Sequence, residues 1–310
     1  MGNNTQSHRL RGNLMLLSTA IIWGLAFVAQ SDGMNYVGPF TYNASRTLLG
    51  GIVLVPVILL LRKLPSSKEQ KAERAPLGTT IAGGIWCGIV FFIAGSLQQI
   101  GITMTTVGKA GFITALYIVI VPIIGFILHR KTPLRIWLCV LIAVAGFYML
   151  CISGDFSLSL GDLLELLCAL GFAVHITVIE HFNSKNTDGT LMSCIQFFTA
   201  GILMLICMFI FEKPDIGSIL SAWLPILYGG VMSCGIAYTL QILGQRHTDP
   251  TIATLLMSLE SVFSALFGWL LLGELLSVKE LIGCALVFIA VIAAQIDIKS
   301  IFRKSPKQKE

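Results

Sequence analysis

The chain has 310 residues, of which 55% are apolar and 12% charged, against about half and about a quarter in soluble domains. That balance excludes a soluble globule, a disordered chain and a disulfide-stapled secreted fold, and a net charge of only +5, held in short loops and tails, excludes a nucleic-acid binder. The eight cysteines all lie in apolar stretches and form no C-x-x-C pair, so they read as small hydrophobes of a reduced protein.

Ten long apolar stretches follow one another, at about 12–31, 39–61, 77–98, 105–128, 133–152, 160–180, 189–211, 220–244, 250–272 and 277–296. About 20 residues at ~1.5 Å rise cross a hydrocarbon layer ~30 Å thick, so each stretch predicts a membrane-spanning helix. Arg9 and Arg11 before the first span mimic a signal peptide, but no A-x-A-like site closes it and it is expected to stay uncleaved. The tails and even-numbered connections hold 17 Lys and Arg, the odd-numbered connections only Lys109, Lys213 and Lys279. The positive-inside rule then places both termini in the cytoplasm of a multi-pass plasma-membrane protein, and an even number of crossings requires the termini to share a side. The expected organisation is a cytoplasmic N-terminal tail at 1–11, one repeat at 12–152, a second at 159–297 and a basic cytoplasmic C-terminal tail at 298–310.

The repeat shows as constant offsets. A shift of 143 pairs Leu97, Gln98, Gly101, Thr105, Ala110 and Gly125 with Leu240, Gln241, Gly244, Thr248, Ala253 and Gly268. A shift of 149 pairs Gly12, Leu14, Leu17 and Ala20 with Gly161, Leu163, Leu166 and Ala169, and sets Trp23 opposite Phe172. The unit is five spans long. Because five is odd, the second copy enters the membrane from the opposite face, the arrangement that allows alternating access in transporters.

The segment Ala237-Tyr-Thr-Leu-Gln241-Ile-Leu-Gly-Gln245-Arg246, the run Ala253 to Phe263 with Glu260, the run Gly268-Trp-Leu-Leu-Leu-Gly273-Glu274, and in the first half Gly111 to Pro122 with Gly146 carry a resemblance. Over roughly 12–297 the chain resembles the EamA family of the drug/metabolite transporter (DMT) superfamily. The resemblance implies an all-α membrane protein of ten helices in two inverted five-helix repeats. It also implies a permease for small metabolites, with a central cavity lined chiefly by helices 1, 3, 4, 6, 8 and 9. The family usually has Pro after the Glu of helix 9; Ser261 stands there, so the kink that Pro would cause is not carried over.

Ionisable groups inside spans are costly, about 2.5–3.5 kcal/mol at a helix centre on insertion scales, and four are present: Arg46, Glu165, His175 and Glu260. Glu260 falls near mid-depth, and the 143 shift makes Tyr117 its counterpart, so the two are expected to bracket a substrate, with Glu260 supplying charge or an exchangeable proton. A protonated Glu serving as interhelical packing is the other reading. His175 shares a helix face with Glu165, Cys168 and Phe172; it is a proton-coupling candidate if that stripe meets the cavity and a core histidine otherwise. Arg46 lies closer to the outer end, where a long side chain can snorkel outward, and a structural role is favoured for it. Gln98 and Gln241 near the ends of the third and eighth spans suit gate or rim hydrogen bonds at two mouths, and interhelical hydrogen bonds alone are the other reading. Pro122 frees a backbone carbonyl near Tyr117, which favours helix 4 as a cavity element, and Gly84, Gly88, Gly95, Gly230, Cys234 and Ala237 predict close helix approach.

The candidate substrate-binding set is Trp23, Gln98, Thr114, Tyr117, Phe172, His175, Gln241, Met257 and Glu260, with Glu260 and His175 as proton-coupling candidates and Glu274 outside the site. His175-Ile-Thr-Val-Ile-Glu180-His181 lacks the spacing of the zinc-protease motifs, and neither a metal nor a cofactor is expected. With no Walker motif, ATP is not the direct energy source. The expected activity is secondary active transport, export ahead of import, of small metabolites such as amino acids or related amphipathic compounds. A passive channel or lipid scramblase is the alternative; a membrane-embedded enzyme lacks convergent catalytic groups such as G-x-S-x-G. The expected partners are a small-molecule substrate and membrane lipids, in a monomer or homodimer.

Overall fold

A computed structural model describes residues 2–63, 75–105, 107–129, 132–151, 159–272 and 277–295. The basic tail at 298–310, most of the charged loop after Arg62, Arg130, Lys131 and Glu274 lie outside these residues. The described chain is helical and contains no strand. Helix α1 (Gly2–Gly33) runs through the expected N-terminal tail without a break, and α2 (Pro39–Lys63) and α3 (Leu77–Ile102) follow. The fourth span is split into α4a (Val107–Ala115) and α4b (Tyr117–Ile127), and α5 (Leu134–Cys151) completes the first repeat. The second repeat has α6 (Leu160–Asn183), α7 (Gly189–Phe211), α8 (Trp223–Gln245), α9a (Pro250–Met257), α9b (Leu259–Leu272) and α10 (Val278–Gln295). Eight of these spans are long and apolar enough to cross a membrane, and α5 and α10 contain shorter apolar helices, Leu134–Gly146 and Leu281–Ala294.

Large apolar side chains such as Leu60, Phe126, Phe209, Phe211, Leu270 and Ile292 point outward, while buried positions are rich in Gly, Ala, Ser, Thr and amides. This inverts the soluble pattern, because lipid tails are as apolar as Leu and close helix approach has to come from small residues. Helix starts carry polar caps. Ser159 and Asp162 form a capping box on α6, Asp188 caps α7, and Asp249 with Pro250 at the first turn caps α9a. Glu212, at the end of α7, accepts from Phe40 N, Thr41 N and Thr41 Oγ1 at 2.8, 2.8 and 2.6 Å and holds the start of α2. The eighth span begins later than expected, at Trp223, because Asp215 caps a separate short helix, Ile216–Ser221.

Both fourth helices of the repeats are broken. In the fourth span α4b continues through Pro122, which cannot donate to the Ile118 carbonyl, and the break lies earlier, at Leu116, whose N–H reaches Ile113 O at 3.1 Å. The ninth span has no such Pro, yet it too breaks, at Ser258. There the hydroxyls of Thr254 and Ser258 bond their own helix carbonyls, Thr251 O and Leu255 O, at 2.8 and 2.9 Å, and compete with the regular ladder. Ser261 then donates across to Gly111 O at 2.8 Å, tying α9b to α4a. In α8 the stretch Tyr228–Ala237 is a π-helix, with Gly229 against Tyr42 and Arg46 and Gly230 against Leu49.

The two ends of the bundle repeat one design. At the end holding residue 12, the near end, Thr248 Oγ1 donates to Asn13 Oδ1 at 3.2 Å. At the far end Thr105 Oγ1 donates to Asp162 Oδ1 at 2.9 Å, and the 143 and 149 offsets carry one pair onto the other. Gly244 lies against Leu16 as its counterpart Gly101 lies against Glu165.

Of the glycines on α3, Gly88 sits where a Cβ would meet Gln196 O at 2.7 Å and Thr199 Cβ at 2.6 Å, whereas at Gly95 the nearest atom would be 3.5 Å away. Gly88→Ala is expected to lower stability by about 1–3 kcal/mol, the usual cost of overpacking. Gly95→Ala is expected to be close to neutral. Thermal unfolding in detergent, monitored by size-exclusion fluorescence, separates the two.

Candidate functional site

A narrow cavity of about 30 Å³ lies at the centre of the bundle, and every residue lining it is buried. α1 contributes Trp23, Phe27 and Gln30, and α6 contributes Phe172 and Ile176. Gln98 comes from α3, Thr114 and Tyr117 from the two halves of the fourth span, and Ser233, Tyr238 and Gln241 from α8. Arg46 of α2 and Glu260 of α9b supply the charges. Four pairs among these are related by the repeat offsets: Trp23 with Phe172, Phe27 with Ile176, Gln98 with Gln241, and Tyr117 with Glu260. The cavity therefore straddles the pseudo-two-fold axis between the repeats. Tyr117 and Glu260 meet there directly: the phenol donates to Glu260 Oε1 at 2.9 Å.

Seven of the nine candidates from the sequence line this space, and His175 and Met257 do not. Met257 is fully buried at the end of α9a. His175 stands behind the wall, its Nε2 2.9 Å from Gln196 Oε1 and its ring 6.0–6.3 Å from those of Phe91, Phe172 and Tyr238. Its stripe is real, but only Phe172 of that face reaches the cavity. Gln98 and Gln241 do not rim two separate mouths. Because α3 and α8 run on to Ile102 and Gln245, both amides sit about a turn inside and face one cavity.

Arg46 departs furthest from expectation. It is 2% exposed and turned inward, not snorkelled to the surface. Asn43, one turn earlier, anchors it: Asn43 donates to Gly95 O at 2.9 Å and accepts from Arg46 Nε at 2.8 Å. Tyr42 adds a ring 5.4 Å from the guanidinium carbon. The only hydrogen bond found for the guanidinium among the described residues uses Nε, which leaves its two terminal nitrogens to the cavity. Trp23 Nε1, Gln30 Oε1 and Gln241 Oε1 are likewise buried lining atoms without a partner inside the protein. Buried polar groups are normally hydrogen-bonded, so the chemistry of this set matches a ligand with an anionic group, donors and an apolar body, for which the helices have to part. Asn43 at three residues before Arg46 was the available sequence signal for the inward arginine. The offset of 149 from Ile176 likewise marks Phe27.

Comparison with known proteins bears on what such a cavity serves. A family model described as the EamA-like transporter family matches residues 10–152 and again 159–294. The chain belongs to this family. An uncharacterized transporter of Archaeoglobus fulgidus is 30% identical over 286 residues, covering 92% of this chain and 85% of that one. The threonine/homoserine exporter RhtA of Escherichia coli is 25% identical, covering 96% and 94% of the two chains. A WAT1-related chloroplastic protein of Arabidopsis thaliana is 23% identical, with 89% and 67% covered. A crystal structure superposes with a TM-score of 0.74 at 20% identity over 94% of this chain and 98% of that one, which speaks to the fold. Membership makes the chain a multi-pass membrane protein of the transporter class, with the cavity at the interface of its EamA repeats.

Two outcomes follow from this geometry. Tyr117→Phe removes the donor to Glu260 and leaves a buried acceptor unmet, so stability in detergent is expected to fall by about 1–3 kcal/mol. Glu260→Gln is expected to cost less, since an amide oxygen still accepts from the phenol; paired thermal unfolding curves check the order. At the near end His247 lies in a loop, its ring 5.4 Å from that of His8. Partial burial, then the neighbouring His8, Arg246 and Arg11, hold its pKa below the ordinary imidazole value. A depressed histidine pKa means the unfolded chain binds the proton more readily, so this contribution is present above the ordinary imidazole pKa and is lost as pH falls through it. Protection factors for the amides of residues 245–249, corrected for the intrinsic pH dependence of exchange, are expected to fall on mild acidification, and His247→Gln to abolish the change.

Proposed function

We propose that this protein is a secondary active transporter that exports small amphipathic metabolites, amino acids in particular, through the central cavity by alternating access. The observation that carries the reading is the convergence of offset-related residues on one buried cavity, with two equivalent closures above and below it. Two inverted copies can exchange conformations, so that opening one closure while holding the other gives a carrier. A narrow cavity lined throughout by buried residues favours a carrier over an open pore.

Arg46 would take the carboxylate of a zwitterion, Glu260 its ammonium group or a coupling proton, and Trp23, Phe27, Phe172 and Tyr238 its side chain. Similarity to a threonine/homoserine exporter puts those amino acids first among probes. The 17-to-3 excess of Lys and Arg supports a plasma-membrane orientation with the near end and both termini in the cytoplasm and the far end outside. Coupling falls to Glu260, since His175 stands behind the cavity wall.

The test is counterflow of radiolabelled threonine into proteoliposomes preloaded with unlabelled threonine. Saturable exchange is expected, and unsaturable flux independent of preloading would favour the channel reading. Arg46→Gln is expected to raise the half-saturating concentration roughly 10- to 100-fold, since hydrogen bonds to a charged group contribute about 1.5–3 kcal/mol. Under a pH gradient Glu260→Gln is expected to lose gradient-driven accumulation, and unchanged accumulation would remove it from coupling.

A further inference from the structure

Behind the cavity wall, on the far side, stands a second carboxyl system with no counterpart at the near end. Glu165 is 0% exposed. Its Oε2 accepts from Thr114 Oγ1 at 2.9 Å, and Thr114 is itself part of the cavity wall, where Gln98 Nε2 donates to it at 3.4 Å. Its Oε1 has no partner, and α3 presses on it so closely that a Cβ on Gly101 would lie 2.6 Å from that atom. One turn nearer the far surface, Asp162 accepts from Thr105 Oγ1 at 2.9 Å and from Ser159 N at 2.8 Å. Polar groups thus run from the cavity through Thr114 and Glu165 to Asp162 and the far mouth.

The repeat offsets give the mirror path, and it is empty of carboxyls. Glu165 becomes Leu16, Asp162 becomes Asn13, Thr114 becomes Met257 and Thr105 becomes Thr248. The mechanical contacts survive: Leu16 packs on Gly244, and Thr248 bonds Asn13 at 3.2 Å. None of these four side chains can hold a proton at ordinary pH.

The groups facing Glu165 are Asp162 and Cys168 on its own helix, Gln98 and Gly101 on α3 and Thr114 on α4a, with Glu260 of α9b beyond the thiol. No Lys, Arg or His of the described residues pairs with it. A fully buried carboxylate with one hydrogen bond and no cation is strongly disfavoured, which keeps the carboxyl neutral while the far closure is shut.

We propose that Glu165 is a proton-binding site that meets outside water only through the far mouth and exchanges its proton with Glu260 through the Thr114 side of the cavity. The inference rests on the alternating-access reading and its orientation. Opening the far closure lifts α3 from α6, wets Glu165 and lets one proton pass between its carboxyl and outside water. In the closed state the Thr114 hydroxyl links that carboxyl to the cavity. Opening the near closure wets Leu16 and Asn13, which exchange nothing, so the proton cannot leak through that route.

Right-side-out membrane vesicles holding the full-length protein test this with dicyclohexylcarbodiimide, which attacks protonated buried carboxyls, and peptide mass spectrometry to read Glu165. Modification is expected to drop several-fold when the external solution is made alkaline at constant internal pH, and to ignore the reverse change. Labelling that tracks internal pH, or neither pH, overturns the proposal. In proteoliposomes Glu165→Gln is expected to keep threonine counterflow and lose accumulation driven by a pH gradient, with Glu165→Asp restoring part of it; undiminished accumulation in Glu165→Gln also overturns it. Absence of counterflow in the unsubstituted protein would count against threonine as substrate, while the labelling pattern would still decide the proton site.

Discussion

The contact between Tyr117 and Glu260 is the point on which the rest of the bundle turns. It joins equivalent positions of the two repeats, so it can exist only where the pseudo-two-fold axis passes, at the middle of the membrane-spanning core. A carboxyl at that depth needs a partner, and the phenol supplies one without filling the space beside it. The breaks at Leu116 and Ser258 lie within three residues of this pair, so the backbone is least regular where the side chains must converge. Irregular backbone is tolerated at membrane depth only when it lines a cavity or is buried in protein, and here it does both.

Around this centre the helices are held by small residues and interhelical hydrogen bonds. Contacts such as Gly50 on Cys234, Gly24 on Phe263 and Gly171 on Ala94 bring helices close without needing a hydrophobic force that lipid would not provide. The same device closes both mouths, Gly12 and Gly244 at the near end and Gly101 and Gly161 at the far end. Equivalent closures suit a molecule that trades one for the other. Their chemistry is unequal, since Glu165 and Asp162 at the far closure have Leu16 and Asn13 as counterparts at the near one, and a carrier driven by protons requires some such inequality. Perfect symmetry would expose the same groups to both compartments and give a gradient nothing to act on.

Much of this was legible in the chain. Unbroken apolar stretches leave a helix as the only way to satisfy the backbone in hydrocarbon, so the number and placement of the spans follow from hydropathy and length. The constant offsets reveal the duplication, and the odd span count inverts it. Thr114, Tyr117 and Glu260 could be placed at a common depth because depth is counted along the helix. Helix 9 shows the limit of motif reasoning: without its Pro no break was expected, yet hydroxyls one turn earlier break it by competing for carbonyls.

The sequence by itself therefore determined the ten-helix inverted-repeat architecture and the matched depth of Tyr117 and Glu260, because both depend on position along one axis. Only the tertiary structure decided which way each side chain turns about that axis. Arg46 went inward because Asn43 holds its Nε, His175 went behind the wall because Gln196 and three aromatic rings enclose it, and Gln98 and Gln241 turn toward one cavity between the repeats. Rotation about a helix axis is set by the neighbours it packs against, and those neighbours are distant in sequence.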